Sequence, residues 1–294
     1  MKLWLLGTGT PTPSNERMCA GYLIQAGDEY IVFDHGFGSH QRLLQLGVSP
    51  TLINYVFFSH HHYDHMGDYP RLVLTRWDQG AGKIPDIQVF GPPPLARITA
   101  RLFDDDGAFG PDIIARTQNE CSLNVYQLRG GEGPRRRPEP IVRELDAHDE
   151  LRIDDFAVRV APVHHFAPHL ISYGYRIDHG GQSVVYSGDT GPCKELVELA
   201  KGCDVLIHMC HHYSGTAPTR IWDTFVSGHL EAAKAAHDAG AKSLVLGHIT
   251  EQIDKPGIRE RIVAEIRQIY AGTVYIGADC MEIPVAGTGL NRLD

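Results

Sequence analysis

The chain has 294 residues, 43% hydrophobic and 21% charged, a balance that can bury a large core unaided. Its 27 Lys and Arg against 36 Asp and Glu leave a formal charge of −9. That charge argues against a general polyanion binder, which normally needs a basic field, and so against nucleic acid as a partner.

The first segments set further expectations. "MKLWLL" is too short an apolar run for a signal or a membrane span before it breaks at "GTGTPTP". None of the six cysteines forms a C-x-x-C pair, so they read as reduced thiols in a cytosolic protein. "KLWLL", "GYLIQAG" and "EYIVFD" read as strands punctuated by glycine. A short helix is expected over 39–47, stopped by Gly47. "LINYVFF" is a buried strand ending at Ser59, and it delivers "HHHYDH" (60–65) at its end. A helix is expected near 66–79. "IQVFG" is then a strand and "PLARITARLF" an amphipathic helix begun by prolines.

Residues 104–119 are expected to be irregular, with Asp104–Asp106 a solvated turn. "GGEGPRRRPEP" (130–140) reads as a loop whose arginines, Arg135–Arg137, are solvated, with a phosphate-contacting patch as the alternative. In the second half "FAVRVAPV" alternates and ends at His164 and His165. The strands "ISYGYRI" and "QSVVYS" follow, then a helix from Pro192 to Lys201. "CDVLIHM" and "SLVLGH" are buried strands flanking the helix of "SGHLEAAKAAHDAG". A last helix puts Ile258, Ile262, Ile266 and Ile269 on one face. Strands and helices alternate throughout, which implies one α/β domain over 1–294, built from two similar halves.

The histidines carry the chemistry. In extended chain His60 and His62 point to one side and His61 to the other. Asp64 and His65 follow where the chain turns, so nitrogen and oxygen donors converge within six residues. Neutral imidazole and carboxylate suit zinc, and also iron or manganese.

This pattern resembles the metallo-β-lactamase-fold hydrolases. The likeness extends to the opening "LLGTGTPTPS", to "FDHG", to "PVHH", to Asp189 in "YSGDT" and to His248 in "LVLGHI". It implies an αββα sandwich holding two divalent metals. His60, His62 and His165 would hold the first, Asp64, His65 and His248 the second, and Asp189 would bridge them. His164 competes with His165, and the strand count favours His165. The resemblance implies hydrolysis, in which a hydroxide shared by the metals attacks an ester-like bond, with Asp64 and His229 in the catalytic set and His229 protonating the leaving group.

Asp189 argues against β-lactamase activity, and His62 against the diiron oxidoreductases of the fold, which carry glutamate there. "SGDT" and "GYR" look most like the branch of tRNase Z, phosphodiesterases and arylsulfatase-like enzymes. Two departures point away from tRNA: Met209 stands where that branch has glutamate, and only 23 residues separate His165 from Asp189. The expected substrate is therefore a small phosphodiester. An aryl sulfate, a lactone or an activated haloaromatic are alternatives on the same site, and a non-catalytic metal-binding scaffold is the alternative of another class. Segment 209–229 is expected to wall the substrate pocket with His211, His212, Trp222 and Phe225, and Tyr63 to line its entrance. No membrane partner is expected; the resemblance implies a tendency to dimerise.

Overall fold

A computed structural model describes residues 1–285, so positions 286–294 of the span read as one domain lie outside the description. The first half contributes β1 (Lys2–Gly7), β2 (Gly21–Ala26), β3 (Glu29–His35), α1 (Ser39–Gln45), β4 (Ile53–Phe57), α2 (Tyr63–Met66) and α3 (Tyr69–Gly80). It continues with β5 (Gln88–Gly91), α4 (Leu95–Phe103), α5 (Gly110–Gln118), α6 (Glu120–Leu128) and β6 (Ile141–Glu144). The second half runs β7 (Glu150–Ile153), β8 (Phe156–Pro162), β9 (Tyr173–His179), β10 (Gln182–Tyr186), α7 (Lys194–Leu199) and β11 (Val205–Met209). It ends with α8 (His229–Ala239), β12 (Ser243–Gly247), α9 (Ile258–Ile266), β13 (Thr273–Ile276) and β14 (Glu282–Ile283).

Two seven-stranded sheets result. One has the order β14-β1-β2-β3-β4-β5-β6, the other β13-β12-β11-β10-β9-β8-β7. Period-two alternation sorts the side chains. Tyr22, Ile24, Ile31, Phe33 and Phe57 of the first sheet meet Tyr175, Ile177, Val184, Tyr186 and Ile207 of the second in a shared inner core. The intervening Leu23, Val32 and Val56 face outward against Leu43 of α1, Leu72 of α3 and Leu95 of α4. On the other side Val185, Leu206 and Leu244 pack against Leu196 of α7, Ala232 and Ala236 of α8, and Ile262 of α9. The layers are helix, sheet, sheet, helix: the αββα sandwich that the resemblance implied.

Three local expectations need correction. Residues 104–119 are not irregular throughout, since α5 occupies most of 110–119 and α6 follows it. Arg135 is not solvated: it is buried, paired with Asp78 at 2.6 Å and laid over the Trp77 ring at 4.2 Å. Arg137 pairs with Asp105 and the Phe103 carbonyl, which leaves Arg136 as the exposed member of the run. Finally, Ile262 and Ile266 are buried but Ile269 lies beyond the end of α9 and is exposed.

Candidate metal centre

The site collects at the carboxyl ends of strands from both sheets, where ligands of open α/β sheets usually bind. β4 ends in the loop carrying His60 and His62, and α2 carries Asp64 and His65. His165 follows β8, Asp189 follows β10 and His248 follows β12. Close approach fixes two glycines. A Cβ on Gly36, after β3, would lie 1.9 Å from the Asp64 carbonyl oxygen. Gly188 has φ +58, and a Cβ there would lie 2.9 Å from that of Ser59. Asp34 and His248 also hold positive φ, 54 and 51 degrees, the left-handed region that Asp and His enter more readily than most side chains.

Two donor groups form. His60, His62, His165 and Asp189 make one; Asp64, His65 and His248 make the other; within each group the donor atoms lie within 4.8 Å of one another. The Asp189 carboxylate lies 3.4 Å from His65 Nε2, 3.1 Å from His248 Nε2 and 3.7 Å from His165 Nε2, so it stands between the groups. His165, not His164, enters the cluster. His164 is exposed and turns toward Cys193 and Glu195.

The outward nitrogens decide what faces inward. His60 Nδ1 donates to Ser59 Oγ at 2.9 Å, because that hydroxyl's own hydrogen goes to Asp34 Oδ2 at 2.7 Å. His65 Nδ1 donates to Asp34 Oδ2 at 2.7 Å, and His165 Nδ1 to the Phe225 carbonyl at 2.9 Å. His248 Nδ1 lies 3.3 Å from His211 Nδ1. The Nε2 atoms of His60, His65 and His165 are therefore bare and point into the cluster. Two of them face His62 Nδ1, at 2.9 and 3.2 Å. His65 Nε2 and Asp189 Oδ1 are buried without any hydrogen-bond partner. Lone pairs of nitrogen and carboxylate aimed at one another repel unless a cation sits among them, so the donor set fits divalent metal.

Electrostatics agree for three imidazoles; at His65 burial is outweighed by the Asp189 and Asp34 carboxylates, which push it well up, so a metal ion would have to displace a proton there. Burial pushes His60, His62 and His165 toward the neutral form that ligates metal. Burial alone would raise the Asp189 carboxyl, but the imidazoles of His248 and His65 outweigh it and hold the group well below the carboxylate range.

Comparison with known proteins now places the chain. A family described as "Beta-lactamase superfamily domain" matches residues 29–249. Ribonuclease Z of Mycobacterium bovis (BCG, Pasteur strain) is 31% identical over 292 residues, covering 97% of this chain and 98% of that protein. The chain belongs to the metallo-β-lactamase superfamily, in its ribonuclease Z branch. Ribonuclease Z of Mycolicibacterium gilvum is 30% identical over 97% of this chain and 96% of its own. Among solved structures, a metallo-β-lactamase fold protein of Bacillus subtilis superposes with TM-score 0.72 at 19% identity, covering 96% of this chain and 98% of its own. Human short-form tRNase Z superposes with TM-score 0.69 at 21% identity, covering 97% and 100%. These two likenesses show the fold. The protein is a metal-dependent hydrolase.

This membership overturns the expectation against a nucleic-acid partner. The relatives that match along nearly the whole chain are ribonucleases. A charge summed over the whole surface says little about one cleft. No described helix is long and apolar enough to cross a membrane.

The remaining site residues of this hydrolase divide. His211 stacks on His248, with ring centroids 5.4 Å apart, and Trp222 lies 5.7 Å from His211. Phe225 gives its carbonyl to His165. His212 turns away, toward Asp223 at 3.6 Å. Tyr63 is 60% exposed beside the cluster. His229 stands apart and fully buried. Its Nδ1 accepts the Ser214 N–H at 3.2 Å and its Nε2 donates to Glu265 at 2.8 Å. A ring so engaged has no free N–H to give a leaving group. Met209 is buried too, and its sulfur accepts the Thr190 N–H at 3.1 Å, beside Asp189.

Asp34 is the functional residue that sequence reasoning left without a role. Fully buried, it accepts from His65, the Ser59 N–H and hydroxyl, and the Tyr186 hydroxyl at 2.6 Å. An acidic residue ending the apolar run "EYIVFD" was the available signal.

Proposed function

We propose that this hydrolase is a binuclear ribonuclease that cleaves a phosphodiester bond of RNA. The near full-length similarity to ribonuclease Z carries this reading. In it, His60, His62 and His165 hold one ion, Asp64, His65 and His248 the other, and Asp189 serves both. Five imidazoles and two carboxylates make zinc the first choice, with manganese or iron as alternatives. The bound metals would supply Lewis-acid polarisation of the phosphoryl oxygens and a nucleophile at neutral pH. The chain's own part is orientation. Asp34 keeps the proton on His65 Nδ1, the Phe225 carbonyl keeps it on His165 Nδ1, and His211 backs His248. Both sheets contribute ligands, which supports reading residues 1–294 as one functional domain.

The test is cleavage of a tRNA precursor with a single-stranded 3′ extension by protein loaded separately with zinc and manganese. The expected result is cleavage at a defined bond, abolished by Asp64→Ala. Intact RNA in the presence of metal-loaded protein that still hydrolyses bis(p-nitrophenyl) phosphate would reject RNA as the substrate.

A further inference from the structure

Large aromatic rings stand exposed beside His62 and His165 of the metal centre, and none yet has a defined binding partner. Phe166 follows His165 directly. Its ring centroid lies 4.6 Å from that of His165 and 5.5 Å from that of His62, and it stacks on Phe225 at 5.9 Å and 7 degrees. Phe166 is nevertheless 41% exposed. Its φ is +44, a conformation costly for a bulky side chain, so the surrounding structure holds this ring in place against a local preference. In a second pair, Tyr63 follows His62, and its ring lies 6.0 Å from that of Phe37, which is 49% exposed. His62 thus has one aromatic pair beside it in sequence and the other beside it in space.

Exposed apolar rings bordering a polar site mark a binding surface. If the scissile phosphate lies over the metal cluster, the neighbouring nucleotides come within reach of rings that border His62 and His165. Every nucleobase has a π-face, and stacking on aromatic side chains is strong and tolerant of sequence. Bases in a duplex are already stacked on one another, whereas single-stranded bases are free to splay out. We propose that Phe166 with Phe225, and Tyr63 with Phe37, are stacking shelves for the bases flanking the scissile phosphate, which makes single-stranded RNA the form that this site accepts. The proposal rests on the ribonuclease reading. Stacking would also replace part of the charge attraction on which RNA binding usually relies, in a protein of net charge −9.

The experiment measures steady-state cleavage by wild type, Phe166→Ala, Phe166→Trp and Tyr63→Ala, with metal content determined for each protein. The RNA is either intact or abasic at the nucleotide on one side of the scissile bond. Stacking acts alike on the ground and transition states, so Phe166→Ala should raise KM roughly tenfold with kcat nearly unchanged. Phe166→Trp should restore KM. The abasic RNA should raise KM for wild type by a similar factor and add little in the variant whose shelf is already lost. RNA cleavage with KM unchanged in both alanine variants would overturn the shelves and leave the ribonuclease reading standing, as would fully additive effects of variant and abasic site on both flanks. Failure of wild type to cleave any RNA, with bis(p-nitrophenyl) phosphate still hydrolysed, would overturn the ribonuclease reading and nucleobases as the occupants together.

Discussion

His60, His65 and His165 of the metal centre owe their inward nitrogens to the partners of their outward ones. Asp34 is the most connected of those partners, with four donors converging on it in a fully buried place. Asp34→Asn should lower metal affinity about 10–100-fold, read by competition with a chromophoric chelator, because the amide cannot accept all four and frees His65 to turn. His165→Ala should lower metal content far more than His164→Ala; equal losses would count against the proposed ligand set. The histidine motif was legible because its donors are neighbours in sequence. Asp34 was not, because Tyr186, 152 residues away, shows its purpose only once the sheets have stacked. A second buried pair behaves differently. Burial pushes His35 down to about 3 and His40 down to about 4. The folded state therefore refuses protons that the unfolded chain accepts below about pH 6.5, and stability is complete above that value and falls as pH drops through it. Denaturation midpoints measured from pH 7 to 5 should decline less steeply in His35→Leu than in wild type, by up to about 1.4 kcal/mol per pH unit.

Helices α5 and α6 show how an element escapes sequence reading. Each buries little: Ile113 and Gly110 in α5, Tyr126 in α6. No apolar stripe repeats, so periodicity gives no signal. The signs were local ones, Pro111 in the first turn of α5 and Asn119 accepting the Cys121 N–H to open α6. Elements with alternating or continuous apolar runs, such as β2 and β11, were legible from the same chain. Charge helps to fasten α5 and the end of α6. Asp78, at the end of α3, draws in Arg116, Arg129 and the buried Arg135. Burial alone would raise the Asp78 carboxyl, but the hydrogen bonds from Arg135 and Arg129 outweigh it and hold the group below its ordinary value. Asp78→Ala strands the Arg135 guanidinium and should cost about 3–5 kcal/mol in chemical denaturation. The deficit should shrink at acid pH, since the pair contributes above the ordinary carboxylate value and is lost as pH falls through the depressed one.

For the whole molecule, salt dependence separates stacking from charge attraction in RNA recognition. If stacking carries much of the binding, the logarithm of RNA affinity against the logarithm of salt should have a shallow slope, between about −1 and −3. A steeper slope would reveal a basic track and demote stacking. The chain leaves its first sheet for the second between β6 and β7, and returns only with β14. Four of the seven donors precede that crossing and three follow it. A cut in the turn at 146–149 would therefore part the donor set, and neither piece alone could complete either group of a two-ion centre. Mixed together, such pieces would regain tight metal binding only as their sheets re-stacked. The ion would then report complementation of two half-proteins, as well as serving their chemistry.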